Sequence, residues 1–240
     1  GQVLTSTGAG SPPAFETAAS GGASDLDGLS DAVSGITNFT NSLIIGHQTT
    51  GTLDSADGNT AVGYAAMDAI TSGDNNVAVG FGSLSANTTA ANNVAVGASA
   101  LAAVTTGSNN IGVGKDAGLA ITTGAHNVAI GKGALITTTT GNYNVAIGKE
   151  ALRYNTTADN NTAVGYIALN ANTTGTRNTA VGGTALDACT TGNYNTAVGY
   201  NSGGAVTTGA SNTFFGDYSG AGTTTASQNS ALGQASLASN

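Results

Sequence analysis

The sequence predicts an all-β fold, a parallel β-solenoid of twelve 17-residue coils, and three observations predict it. Glycine recurs every seventeen residues from Gly63 through Gly80, Gly97, Gly114, Gly131, Gly148, Gly165, Gly182, Gly199 and Gly216 to Gly233, with no insertion or deletion. An asparagine stands four residues before each, at Asn59, Asn76, Asn93, Asn110, Asn127, Asn144, Asn161, Asn178, Asn195, Asn212 and Asn229. Between the two lies a short apolar phrase such as Val77-Ala78-Val79. So strict a period means that each unit stacks on an identical neighbour, because one added residue would shift every contact beyond it.

Residues 1–41 lie off this grid and read as an N-terminal connector. Pro12-Pro13 and Ser20-Gly21-Gly22 break regular structure, while Leu26, Leu29, Val33 and Ile36 have the spacing of one short amphipathic helix. In a trimer three such helices would bundle at the end of the rod; an extended connector is the alternative. Residues 42–240 form the repeat region, with Ser42-Leu43-Ile44-Ile45-Gly46 as a twelfth copy. Seventeen residues are too few for two packed helices, and the phrase before the glycine is β-branched. The expected coil therefore has a strand at Asn-x-Ala-Val, a second strand around Ala-Leu and a turn at Thr-Thr-Gly. At about 4.8 Å per coil, twelve coils make a rod on the order of 55 to 60 Å long. Identical side chains then stand in columns, and stacked asparagine amides can bond along theirs as donor and acceptor.

Both faces of the strand are apolar, valines on one and alanine on the other. The sequence reading places one face inside the coil. It leaves the other, lined by Ala61, Ala78, Ala95, Ala129, Ala146, Ala163, Ala180 and Ala197, to be covered by another subunit.

The phrases Asn75-Asn76-Val77-Ala78-Val79-Gly80, Asn127-Val128-Ala129-Ile130-Gly131 and Asn144-Val145-Ala146-Ile147-Gly148 resemble the motif of the YadA-like head domains of trimeric autotransporter adhesins. That resemblance implies a left-handed β-roll, three copies of which pack around an axis. The longer form, Asn-Thr-Ala-Val-Gly followed by Ala-Leu and Thr-Thr-Gly, is similar to repeats of bacteriophage tail fibres. The leader 1–13 and the stretch 25–31 look like connectors of such fibres. The coils are longer than the usual adhesin coil, and the chain carries no adhesin stalk or anchor, which favours the tail-fibre likeness. The implied function is a homotrimeric virion fibre, a stiff spacer that contacts a host-surface glycan or protein and joins other virion or fibre proteins through its connector. The runner-up is a bacterial trimeric adhesin head at the cell surface.

Composition fits thin coils: of 240 residues 37 are Gly, only 8% are charged and none is Trp. A net charge of −8 opposes nucleic acid and anionic membranes, and no apolar run approaches the ~20 residues of a membrane span. With no initiator Met or signal pattern at Gly1, any export or anchoring signal is expected outside this sequence. All five bases, Lys115, Lys132, Lys149, Arg153 and Arg177, fall between 115 and 177. The three lysines share the position after the glycine and are expected on an exposed column. In that column Tyr64, Phe81, Tyr166 and Tyr200 are candidate receptor contacts for stacking on sugars; shielding of the ladder edge is the structural alternative.

Nothing in the sequence supports catalysis, a cofactor or a metal. His47 and His126 have no periodic acidic partner, the aspartates recur in no column, and the Gly-Lys pairs lack phosphate-loop spacing. Cys189, the only cysteine, reads as a small buried thiol in the column of Ile70, Val104, Ile121 and Val206. The triplets Asn87-Thr88-Thr89, Asn155-Thr156-Thr157 and Asn172-Thr173-Thr174 match a glycosylation acceptor but arise from the repeat itself. The Thr-Thr pairs, on nine consecutive coils from Thr88-Thr89 to Thr224-Thr225, raise ice binding as a minor alternative, although adjacent threonines before glycine suit a turn better.

Overall fold

The computed structural model describes residues 2–5, 14–17, 32–36, 39–45 and 55–238. Strands β1 (Gln2–Thr5) and β2 (Ala14–Thr17) form a two-stranded antiparallel sheet of their own. All other strands belong to one sheet, which begins with β3 (Ala32–Ile36), β4 (Phe39–Ile45), the short β5 (Ala56–Asp57) and β6 (Thr60–Val62). It continues at seventeen-residue intervals with β7 (Val77–Val79), β8 (Val94–Val96), β9 (Ile111–Val113), β10 (Val128–Ile130) and β11 (Val145–Ile147). The last are β12 (Thr162–Val164), β13 (Thr179–Val181), β14 (Thr196–Val198), β15 (Thr213–Phe215) and β16 (Ser230–Leu232).

From β6 onward every strand pairs in parallel with the next at the same repeat position, Val128 with Val145 and Ala129 with Ala146. The chain is thus an all-β parallel solenoid with a coil of seventeen residues. Leu43–Ile45 of the twelfth copy pairs in the same parallel register with Thr60–Val62, while residues 46–54 lie outside the described ones.

Two expectations of local structure are corrected. Val33 and Ile36, placed on a short helix, lie on β3, which runs antiparallel to β4 at the end of the sheet; Leu26 and Leu29 lie outside the described residues. Two β-branched residues beside an unpaired strand edge gain more from the sheet than from one helical turn. The second strand expected around Ala-Leu is instead a run of turns. Its residues two and four places after the glycine are left-handed, with φ of 59° at Glu150 and 50° at Leu101 and Leu152, and left-handed residues cannot continue a strand. Such residues cost about 1 kcal/mol each, and the turns are offset by bonds to the next coil. Leu101 N–H donates to the Ala117 carbonyl at 2.9 Å, and Ala103 N–H to that of Leu119 at 3.1 Å. Hydrogen bonds therefore lace coil to coil around the turns as well as along the strand. The Thr-Thr step bends the chain, as expected.

The grid glycine is required twice over. At Gly97 φ is +132°, and a Cβ would stand 2.7 Å from the carbonyl of Gly114 on the next coil. Adjacent coils touch backbone to backbone there.

The alanine column is the interior, which corrects the face expected to need a subunit. Ala61, Ala78, Ala129 and Ala163 are fully buried within the single chain, facing the buried leucines of the turn, Leu84, Leu101, Leu135 and Leu152. Seventeen residues enclose a space only wide enough for alanine opposite leucine. Where Phe214 replaces the alanine, Gly203 and Gly220 replace the leucines of the flanking turns, and a Cβ at Gly220 would run into the Phe214 ring. Where Gly112 and Gly118 leave room, the Leu101 side chain occupies it, 2.7 and 2.6 Å from where their Cβ atoms would lie. The interior is filled by exchange between neighbouring coils.

Beside this apolar column runs the predicted asparagine ladder, buried from Asn59 to Asn212. Asn144 Nδ2 donates to the Asn127 Oδ1 at 3.2 Å and to the Ala158 carbonyl at 2.8 Å, and Asn144 Oδ1 accepts from the Asn161 N–H at 3.0 Å. The bond to the carbonyl fourteen residues on ties the strand entrance to the turn of the same repeat. A buried polar group left without its partner costs about 1–3 kcal/mol. Asn144→Ala orphans the buried Asn161 N–H and removes one of two donors to the Ala158 carbonyl, which keeps the Asn155 Nδ2 at 3.1 Å, so it is expected to lower unfolding free energy by roughly 1–3 kcal/mol in denaturant titration. Substitution of exposed Thr157 by serine should stay within about 0.5 kcal/mol.

Candidate functional site

Three surface features follow from this architecture. The first is the outward face of the sheet. With alanine turned inward, the flanking residues point out: Val62 is 40% exposed, Val96 and Ile147 37%, and Phe215 55%. Valine or isoleucine fills this outer column from Val62 to Val198. A second column, Val77, Val94, Ile111, Val128 and Val145, stands two residues before it. An apolar strip thus runs along the rod, two columns wide from Val77 to Ile147 and one column wide where Thr162, Thr179 and Thr196 take the second position, and no described residue covers it.

The second feature is the column after the grid glycine, where Tyr64, Phe81, Tyr166 and Tyr200 are all exposed. They do not form one cluster. Tyr64 and Phe81 stack with ring centres 5.6 Å apart and planes within 8°, while Tyr200 meets Tyr218 edge to face at 5.5 Å. Tyr166 lies under the Lys149 ammonium, 5.4 Å from the ring centre, and is separated from Tyr200 by Gly183. Lys115, Lys132 and Lys149 are exposed, as the sequence predicted. Lys115 lies 3.5 Å from Asp116 and Lys149 3.7 Å from Glu150. Glu150 bonds more closely with Arg153, at 3.1 Å.

The third feature escaped the sequence reading. In the residue before the ladder asparagine, His126 stacks on Tyr143 with centres 4.9 Å apart and planes within 3°, and the Arg177 Nη1 donates to the Tyr194 hydroxyl at 2.6 Å. Every described residue of this column has positive φ, 59° at His126 and 57° at Arg177, which swings the side chain out of the coil. Aligning the repeats shows the column, but its mixed residues carry no signal of direction. His47 lies outside the described residues.

The threonine pairs divide their roles. In every pair but the last, the first hydroxyl donates to the threonine carbonyl of the next coil, Thr156 to Thr173 and Thr173 to Thr190 both at 3.1 Å. In those pairs only the second is exposed, as at Thr157 and Thr174, whereas at the end of the rod Thr224 and Thr225 are both exposed. One exposed threonine per coil gives a single column instead of a flat two-dimensional array. The glycosylation triplets are closed to modification in the folded chain, because Asn87, Asn155 and Asn172 are fully buried. The Asn172 Nδ2 donates to Asn155 Oδ1 at 2.9 Å.

No family model, no curated protein and no solved structure matches the chain.

Cys189 interrupts the polar run that ends at Asn172, with its sulfur 3.8 Å from the Gly192 carbonyl. Burial pushes its thiol from 9.0 up to about 11, so at pH 8 far less is thiolate than for an exposed cysteine. Labelling of the native protein with an aromatic disulfide reagent is expected to run at least about a hundredfold slower than after unfolding in guanidinium. Equal rates would show that the coil opens at this position.

Proposed function

We propose that the chain is a segment of a homotrimeric fibre, in which three rods pack in parallel through their valine and isoleucine faces. We further propose that the fibre is a stiff spacer in a virion appendage such as a tail fibre, with a part in host attachment. The observation that carries the trimer is the uncovered apolar strip. It is about 10 Å wide over the five coils where both columns are apolar and about half that over the other five, on the order of 350 Å², the size of the largest patch on a typical soluble monomer and often an interaction site. In parallel packing about a common axis each coil meets its equivalents at the same height, so valine faces valine along the whole rod. The likeness of the tail-fibre phrase supports the virion over other settings. Residues 1–41 would join it to other fibre proteins, and three copies on one rod raise avidity without a strong single site.

The phrase Asn127-Val128-Ala129-Ile130-Gly131 favours a second reading, a bacterial trimeric adhesin head, in which the same rod stands on a cell surface.

Light scattering with far-UV circular dichroism tests the assembly. The expected mass is about three times the 23.0 kDa chain, with a β spectrum. Ile130→Lys combined with Ile147→Lys places charge on the strip while the alanine side stays intact, and is expected to yield folded monomers. A wild-type monomer that is stable and soluble would overturn the proposal.

A further inference from the structure

Among the columns that ring the rod, the one after the grid glycine carries an unusual sequence of side chains. Lys115, Lys132, Lys149 and Tyr166 stand on four successive coils, each about 4.8 Å above the last, and all four are exposed. Elsewhere the same column accepts Ala98, Gly183 or Asp217, so stacking does not require lysine. Three ammonium groups at this spacing repel one another. Asp116 and Glu150 lie beside the outer two, but Lys132 is followed by Gly133 and makes no ion pair among the described residues. The track thus has an uncompensated cation at its centre and an aromatic ring at one end.

Charge across the chain sharpens this. Residues 115–177 hold all five bases against three carboxylates, a local +2, which leaves −10 for the remainder. At physiological salt, interactions between exposed charges fade beyond about 8 Å, less than two coil spacings. The basic band therefore acts on a ligand nearly independently of the acidic ends.

We propose that this column is a binding track for an acidic polysaccharide lying along the rod. Its carboxylate, phosphate or sulfate groups sit on Lys115, Lys132 and Lys149, and one sugar ring sits against Tyr166. Asp116 and Glu150 accept hydrogen bonds from sugar hydroxyls, which such a polysaccharide carries on its units and the deoxyribose-phosphate backbone of a DNA oligonucleotide lacks. That contrast, and the absence of arginine from the column, separate the ligand from nucleic acid. The inference rests on the reading of the chain as an attachment fibre and names the ligand class of that surface.

The test measures binding of the full chain to immobilised polygalacturonate and dextran sulfate, with neutral dextran and a single-stranded oligonucleotide alongside. Salt-dependent binding to both acidic polysaccharides, and none to neutral dextran, is expected. Lys115→Gln, Lys132→Gln and Lys149→Gln together should weaken it by about tenfold or more, and Tyr166→Ala by about two- to tenfold. These positions are exposed, and an unchanged melting temperature verifies that the variants fold. No binding to either acidic polysaccharide, unchanged binding by the triple variant or by Tyr166→Ala, or equally tight binding to the oligonucleotide would each overturn the proposal. Solution mass is taken on the same samples. A trimer that fails to bind sinks this inference alone, whereas a monomer sinks the fibre reading beneath it.

Discussion

The structure depends on a buried side chain whose polar groups are met by the next coil and by the turn of its own repeat. Each buried asparagine offers its Oδ1 to the asparagine one coil later, which takes it with its backbone N–H and in most coils with its Nδ2 as well. The remaining Nδ2 hydrogen closes onto the turn fourteen residues on. A slip of one residue would place a different side chain in a dry column and leave several polar groups unpaired. The seventeen-residue period is therefore a hydrogen-bonding requirement. Apolar packing alone would tolerate occasional irregularity, because methyl groups have no partners to lose.

With the register fixed, the width of the coil decides which residues go where. The coil encloses alanine against leucine, and the one phenylalanine that enters is matched by glycines at the leucine positions on both flanking turns. Opposite an intact leucine turn the strand takes nothing larger than alanine inward, so its valines stand outside, while Val104 and Val206 are buried in the column of Cys189. The exposed apolar strip is thus a consequence of the narrow core: a strand that must present alanine inward and still favour β structure does so with β-branched residues outward.

The period, the strand, the asparagine column and the buried cysteine were legible because each repeats in the sequence with a physical reason for doing so. The inside and outside of the strand were not, since both faces are apolar and hydrophobicity alone does not rank them. The answer was nevertheless written in the substitutions. Phe214 stands in the alanine column between Gly203 and Gly220, and such an exchange of volume makes sense only between groups that share an interior. The turns around Ala-Leu were misread as a strand because leucine rarely adopts positive φ. Eleven stacked copies hold it there through bonds from coil to coil, a tertiary effect with no local signal. The column of His126, Tyr143, Arg177 and Tyr194 was missed for the same reason: left-handed backbone sets its outward direction.

The repeats also form an alignment within one molecule, and it separates scaffold from function. At the ladder and grid positions the eleven copies never vary, and at the inner alanine they vary only where a neighbouring coil compensates. The columns after the grid glycine and before the ladder asparagine vary widely, from glycine to lysine to tyrosine, while the backbone beneath them stays the same. Stacking constrains these columns least, so they are where the proposed recognition would be written. Three lysines on consecutive coils of a chain with only five bases are too concentrated to serve general solubility, which dispersed acidic residues already provide. A scaffold that supplies a side chain every 4.8 Å or so along a straight line matches the proposed ligand, an acidic polysaccharide, in being linear and periodic.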